Sequence, residues 1–180
     1  MQFRRFVVVG ALVLFSGAGS KCLADTVTLT AVMTGSQEAP PTPSAATGFA
    51  TVILNGNLLT VSESFSGLTA PASAAHIHCC APPGVSAPVV VPFPGFPTTT
   101  SGTYTNSFDL STFAFGGGLT ETTFIAGLES GLAYVNIHDV NFPAGEIRGQ
   151  LLPTPEPGSL VLLGTGALGM VGALRRRKAV

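Results

Sequence analysis

The amino-acid sequence predicts an all-β domain: an antiparallel β-sandwich of Greek-key type, with about seven or eight short strands and one short helix near residues 120–130. Three observations predict it. Apolar side chains alternate with Thr and Ser over short runs, the period of a half-buried strand. Turn-forming Gly, Pro and Asn punctuate these runs at sandwich-like spacing, with 22 Gly and 14 Pro in 180 residues. Between the two ends of the chain, helical spacing occurs in a single short segment.

In chain order, Val27, Leu29, Ala31 and Met33 alternate with threonines and predict the first strand. Residues 35–47, rich in Pro, Ser and Ala, read as a loop. Residues 49–54 and 58–65 are β-rich and flank Asn55-Gly56, a strong hairpin signal. Residues 67–73 turn the chain into a strand containing Ala75-His76-Ile77-His78. Pro82, Pro83, Pro88, Pro92, Pro94 and Pro97 make residues 81–100 a long loop, with a short edge strand at 89–91. Residues 103–108 form the next strand, and Gly116-Gly117-Gly118 a break. Phe124, Ile125 and Leu128 fall on one face of a helix over 120–130, with Thr120 placed to cap it. The last two strands, 132–138 and 146–152, are joined by the turn Asn141-Phe142-Pro143-Ala144-Gly145.

The two ends set the domain organisation. A basic start, Met1-Gln2-Phe3-Arg4-Arg5, leads into an apolar run over 6–18 and then Cys22-Leu23-Ala24. This predicts a secretory signal peptide over residues 1–24, removed by signal peptidase. Lys21 stands where a lipoprotein site needs a small residue. Residues 25–152 are the predicted mature β-domain and 153–180 the tail. The tail reads Pro153-Thr154-Pro155-Glu156-Pro157-Gly158, then an apolar run over 159–174, then Arg175-Arg176-Arg177-Lys178. That run is marginal for a hydrocarbon core of about 30 Å, and the four cations would hold its end in the cytoplasm. The order Pro-Glu-Pro, apolar helix, basic cluster closely resembles the PEP-CTERM sorting signal of Gram-negative bacteria. The resemblance implies a sorting motif at Pro155, Glu156 and Pro157, removal of the tail by an exosortase, and a host that makes an exopolysaccharide. It also implies a protein of the cell surface or extracellular space, with a transmembrane helix, and so a membrane contact, only before processing.

Setting the ends aside uncovers a charge asymmetry hidden by the formal net charge of −1. Between residues 25 and 152 one base, Arg148, stands against Asp25, Glu38, Glu63, Asp109, Glu121, Glu129, Asp139 and Glu146, a balance of −7. This argues against nucleic acid and anionic lipid as partners. The 128 residues suit one domain with one core. Of three cysteines, Cys22 goes with the signal, and the adjacent Cys79 and Cys80 cannot staple distant strands. In an oxidising compartment three fates are open to them: a vicinal disulfide, metal ligation, or pairing with another chain.

The chemistry-bearing residues gather in two x-Ile-His segments. In a strand His76, His78 and Cys80 share one face, with Ile77 and Cys79 on the other. Tyr134, Asn136 and His138 likewise oppose Val135 and Ile137. With both isoleucines in the core, all three histidines point away from it and toward each other. Three imidazoles suit copper or zinc. Cys80 would add a thiolate, and Asp139 or Glu146 would orient a histidine. The competing reading is that the histidines bond loop backbone and pin the proline loop to the sheet. Glu146 and Arg148, two apart on one face, read as a structural ion-pair site, with Glu38 or Asp139 as carboxylate partners for Arg148. No Ser-His-Asp order, phosphate loop or glycosidase carboxylate pair stands out, so no catalytic or cofactor-binding residue is assigned.

Gln37-Glu38-Ala39-Pro40-Pro41, Gly48, His76-Ile77-His78, Tyr134-Val135-Asn136-Ile137-His138 and Gly145-Glu146-Ile147-Arg148-Gly149, in this order, resemble the CHRD (chordin-type) domain over roughly residues 27–152. The Cys79-Cys80 pair with the proline loop resembles a bacterial subset of that family. The resemblance implies an extracellular β-domain with no established catalytic activity. The expected function is an exported surface or extracellular-matrix protein. Its β-domain would be a non-catalytic binding or structural unit, partnered by an extracellular polysaccharide, a matrix protein or itself. The second reading is a copper- or zinc-binding redox or metal-handling protein using His76, His78 and His138.

Overall fold

Alternation of apolar and hydroxyl side chains produces nine strands among the described residues: β1 (Thr26–Thr34), β2 (Thr47–Asn55), β3 (Leu58–Ser66), β4 (Ala72–His78), β5 (Val89–Pro92), β6 (Gly102–Asp109), β7 (Tyr134–Asp139), β8 (Ile147–Gln150) and β9 (Leu152–Pro153). The computed structural model describes residues 26–154 and 163–170. The predicted signal peptide, the Pro155-Glu156-Pro157 motif and the Arg175–Lys178 cluster lie outside the described residues.

Every pairing is antiparallel, in the order β5-β4-β7-β8-β1-β2-β3-β6, with β9 added beside β1. The all-β, sandwich-like fold is therefore as predicted, with two differences. There is one strand more, and the strands form a single curled sheet. The reason lies in β1. Its C-terminal end meets β8 at one pair, Thr34 and Arg148, while its N-terminal half pairs with β9 at Leu29–Pro153 and Thr30–Leu152. β1 thus joins β5-β4-β7-β8 to β2-β3-β6 in one curled sheet, and the two halves share one core.

That core takes Leu29 and Met33 from β1, Val52 from β2, Leu59 and Val61 from β3, Ile77 from β4, and Val135 and Ile137 from β7, all fully buried. Each such side chain contributes about 1.5–3 kcal/mol. The β2–β3 hairpin turns at Asn55-Gly56, where Gly56 takes φ 57°, a conformation that favours glycine. Helix α1 (Glu121–Glu129) starts in a reciprocal cap between Thr120 and Thr123 and buries Phe124 and Leu128. Its Gly127 lies against the Cys79–Cys80 pair: a Cβ there would come within 2.3 and 2.4 Å of the two sulfurs.

The charge reading changes in the folded chain. Glu38, Glu63, Asp139, Glu146 and Arg148 are all buried. Much of the acidic surplus is therefore internal, and Asp109, Glu121 and Glu129 are the described acids that reach solvent.

Candidate metal centre

Strand register builds the site. β4 pairs with β7 so that Ala74 faces His138, His76 faces Asn136, and His78 faces Tyr134. Ile77 and Ile137 point into the core with no exposure. The three histidines are thereby left on the opposite, outer face. One nitrogen from each lies within 4.8 Å of the others, and His76 Nδ1 is 3.1 Å from His138 Nε2. Two nitrogens about 2.0–2.1 Å from a tetrahedral metal are roughly 3.3 Å apart, so one edge already has ligand spacing.

Two backbone carbonyls fix the tautomers. His78 donates from Nδ1 to Ala87 O at 2.8 Å, and His138 from Nδ1 to Pro143 O at 3.0 Å. Carbonyls only accept, so both Nδ1 atoms carry the proton and both Nε2 atoms keep a lone pair. His78 Nε2 is buried with no hydrogen-bond partner. Its ring stacks on Tyr134, with centroids 4.7 Å apart and planes 5° from parallel. The Tyr134 hydroxyl accepts from Ala87 N at 3.1 Å. Burial pushes the pKa of all three imidazoles down. For His76, burial and then the neighbouring His138 and His78 bring it to about 4. Neutral imidazole is the form that binds metal. The histidines do pin the proline loop, at Ala87, and the same bonds leave Nε2 lone pairs on His78 and His138, that of His138 accepting from His76 Nδ1 at 3.1 Å; metal-bound histidines are held by outer partners in the same way.

The other predicted residues fall elsewhere. Cys80 is joined to Cys79 in a disulfide, so it offers no thiolate. The strand parity that placed it beside the histidines ends with β4 at His78, and the Cys79 amide bonds to Pro88 O instead. Asp139 and Glu146 do not orient a histidine through any hydrogen bond described; they form a carboxyl pair of their own. Asp139 accepts from the Thr69 hydroxyl and the Ala70 amide, each at 2.9 Å, and from the Phe142 amide at 2.7 Å. Glu146 accepts from the Ser44 hydroxyl at 2.6 Å and the Thr69 amide at 2.9 Å. Burial, with Asp139 beside it, raises the Glu146 pKa. Burial would raise Asp139 too, but hydrogen bonds from Glu146, Phe142, Thr69 and Ala70 outweigh it and hold that carboxyl low. Of the two, Glu146 therefore holds a proton the more readily, and the pair fastens three loops.

Arg148 does not pair with Glu146. Its Nε lies 3.8 Å from Glu38 Oε2 and donates to Gln37 O, and its guanidinium sits 4.7 Å from the centre of the Tyr134 ring. This is one contact through Nε rather than a two-pronged pair. Burial drives the Glu38 pKa up to about 7 against the pull of Arg148. Asn136, not singled out as a site residue from sequence, pairs with His76 on the histidine face and donates from Nδ2 to Glu38 Oε1 at 2.6 Å. Its signal was the parity it shares with His138.

Comparison with known proteins identifies two families. The PEP-CTERM protein-sorting motif matches residues 153–178 and marks an exported protein sorted by an exosortase. Among the described residues no helix is long and apolar enough to cross a membrane, and residues 163–170 are helical with exposed side chains. No curated protein and no solved structure matches the chain. The CHRD domain matches residues 29–151, more than half of the sequence and nearly all of its described strands, and the chain belongs to the CHRD domain family.

Proposed function

We propose that this exosortase-sorted protein is a non-catalytic surface protein whose β-domain holds one copper or zinc ion through His76, His78 and His138. The mature protein is residues 25–152 after loss of the signal peptide and the tail, displayed where an extracellular polysaccharide or matrix protein is at hand. The observation that carries the metal reading is His78 Nε2, a buried lone pair with no partner on a ring locked by its other nitrogen. Leaving such an acceptor empty costs about 1–3 kcal/mol. A metal ion removes that cost and draws on the two neighbouring imidazoles at once. Copper(II) binds such nitrogen sites more tightly than zinc does.

Titrating the metal-free full-length chain with Cu²⁺, then separately with Zn²⁺, tests this. Saturation is expected at one ion per chain for each. At a free concentration a hundredfold above Kd, the melting temperature should rise by roughly 8–15 °C. Titrations that never saturate, with an unmoved melting temperature, would end the reading.

A further inference from the structure

Resting on the metal reading, a second partnerless atom beside the histidines extends it. Asn136 Oδ1 is buried with no hydrogen-bond partner, on a residue only 2% exposed. Asn136 is the cross-strand partner of His76, sits two residues before His138 on the same face of β7, and lies diagonal to His78, which pairs with Tyr134. Directly opposed side chains in an antiparallel pair have Cβ atoms about 4.5–5.5 Å apart, and diagonal ones roughly 7–8 Å. The amide therefore stands on the face that carries all three histidines, directly opposite His76 and two residues from His138.

Its orientation is set from the far side. Nδ2 donates to Glu38 Oε1 at 2.6 Å, which puts the amide nitrogen on the Glu38 side. Oδ1 must then face away from Glu38. The packing leaves no slack. Gly145 stands against this pair, and a Cβ at that position would come within 2.2 Å of Asn136 Nδ2 and 2.6 Å of Glu38 Oε1. Glu38 is itself held by Arg148. A short amide clamped through its nitrogen, with a partnerless buried oxygen on the histidine face, has room in its bonding for a positive centre.

We infer that Asn136 Oδ1 is the fourth donor to the metal, completing a three-nitrogen, one-oxygen site, with Glu38 and Gly145 positioning the amide. Weak axial oxygen donors from a side-chain amide are known chemistry for copper held by histidines. The inference gives the loop around Glu38 a role in tuning the ion, since any shift of Glu38 turns the amide.

The test is Cu²⁺ affinity and the electron paramagnetic resonance spectrum of the full-length chain and two variants. Asn136→Leu removes the oxygen; Asn136→Asp keeps an oxygen and adds charge, so it stays informative if the leucine variant folds poorly. Asn136→Leu is expected to weaken Cu²⁺ at least about tenfold and to shift the copper g and hyperfine values. Asn136→Asp should bind more tightly than wild type, with a spectrum changed in the opposite sense. A wild type that takes up copper alongside variants with unchanged affinity and spectrum would overturn the inference alone, leaving Asn136 a structural residue. A wild type that takes up no metal would overturn the metal reading and this inference with it.

Discussion

The double substitution His76→Ala/His138→Ala is expected to abolish stoichiometric copper and zinc binding, a loss of at least about 100-fold in affinity, while the apo domain still folds. The asymmetry follows from how the site is built. His76 is half-exposed and belongs to a strand interior whose register is set by Ile77 and by pairing on both sides. The two histidines lose their mutual hydrogen bond and the one from His138 to Pro143 O, a net cost of about 2 kcal/mol. The remaining His78 keeps its carbonyl bond and its stack on Tyr134, but a single imidazole is a weak ligand. Calorimetric titration beside a denaturant melt reads both quantities. Unchanged metal affinity would place any bound ion elsewhere. A variant that fails to fold would make the histidines structural fasteners.

Glu63→Leu should raise stability by about 3 kcal/mol at neutral pH and flatten its dependence on pH. Glu63 lies on the core face of β3, opposite Ala50 and Tyr104, 4% exposed, and neither carboxyl oxygen has a hydrogen-bond partner. Burial alone lifts its pKa to about 8 from a reference of 4.5. Between those values the folded protein keeps a proton that the unfolded chain releases, so stability falls as pH rises. The loss is about 1.4 kcal/mol per pH unit, or about 3 kcal/mol at pH 7 and about 5 once the folded pKa is passed. Leucine fits the same face without the proton or the unmet oxygens. Urea melts at pH 5, 7 and 8.5 check this. Parallel pH profiles for the two proteins, or a less stable variant, would show that Glu63 is partnered or ionised in the fold.

Period-two alternation made most of this molecule legible. It places Ile77 and Ile137 inward and the three histidines outward from the sequence alone. The same alternation through Leu59, Val61 and Phe65 puts Glu63 on the buried face, a signal overlooked because charge is expected outside. Periodicity fails where a strand stops. Cys80 keeps the parity of His76 and His78, yet β4 ends at His78 and the chain turns through a vicinal disulfide. Partners across the fold are likewise not encoded by spacing. Arg148 is two residues from Glu146 but meets Glu38, one of the two distant carboxylates expected for it and not distinguishable by spacing from Asp139, because β8 comes to lie beside the end of β1. The joining of the strands into one curled sheet is hidden for the same reason, since it depends on β1 serving β8 at one end and β9 at the other.

The most direct measurement is the metal content, by elemental mass spectrometry, of the full-length chain exported to a periplasm in medium supplied with copper and zinc. The account predicts close to one ion per chain, copper ahead of zinc, and none in the His76→Ala/His138→Ala protein prepared in parallel. Folded wild-type protein carrying neither metal would contradict it.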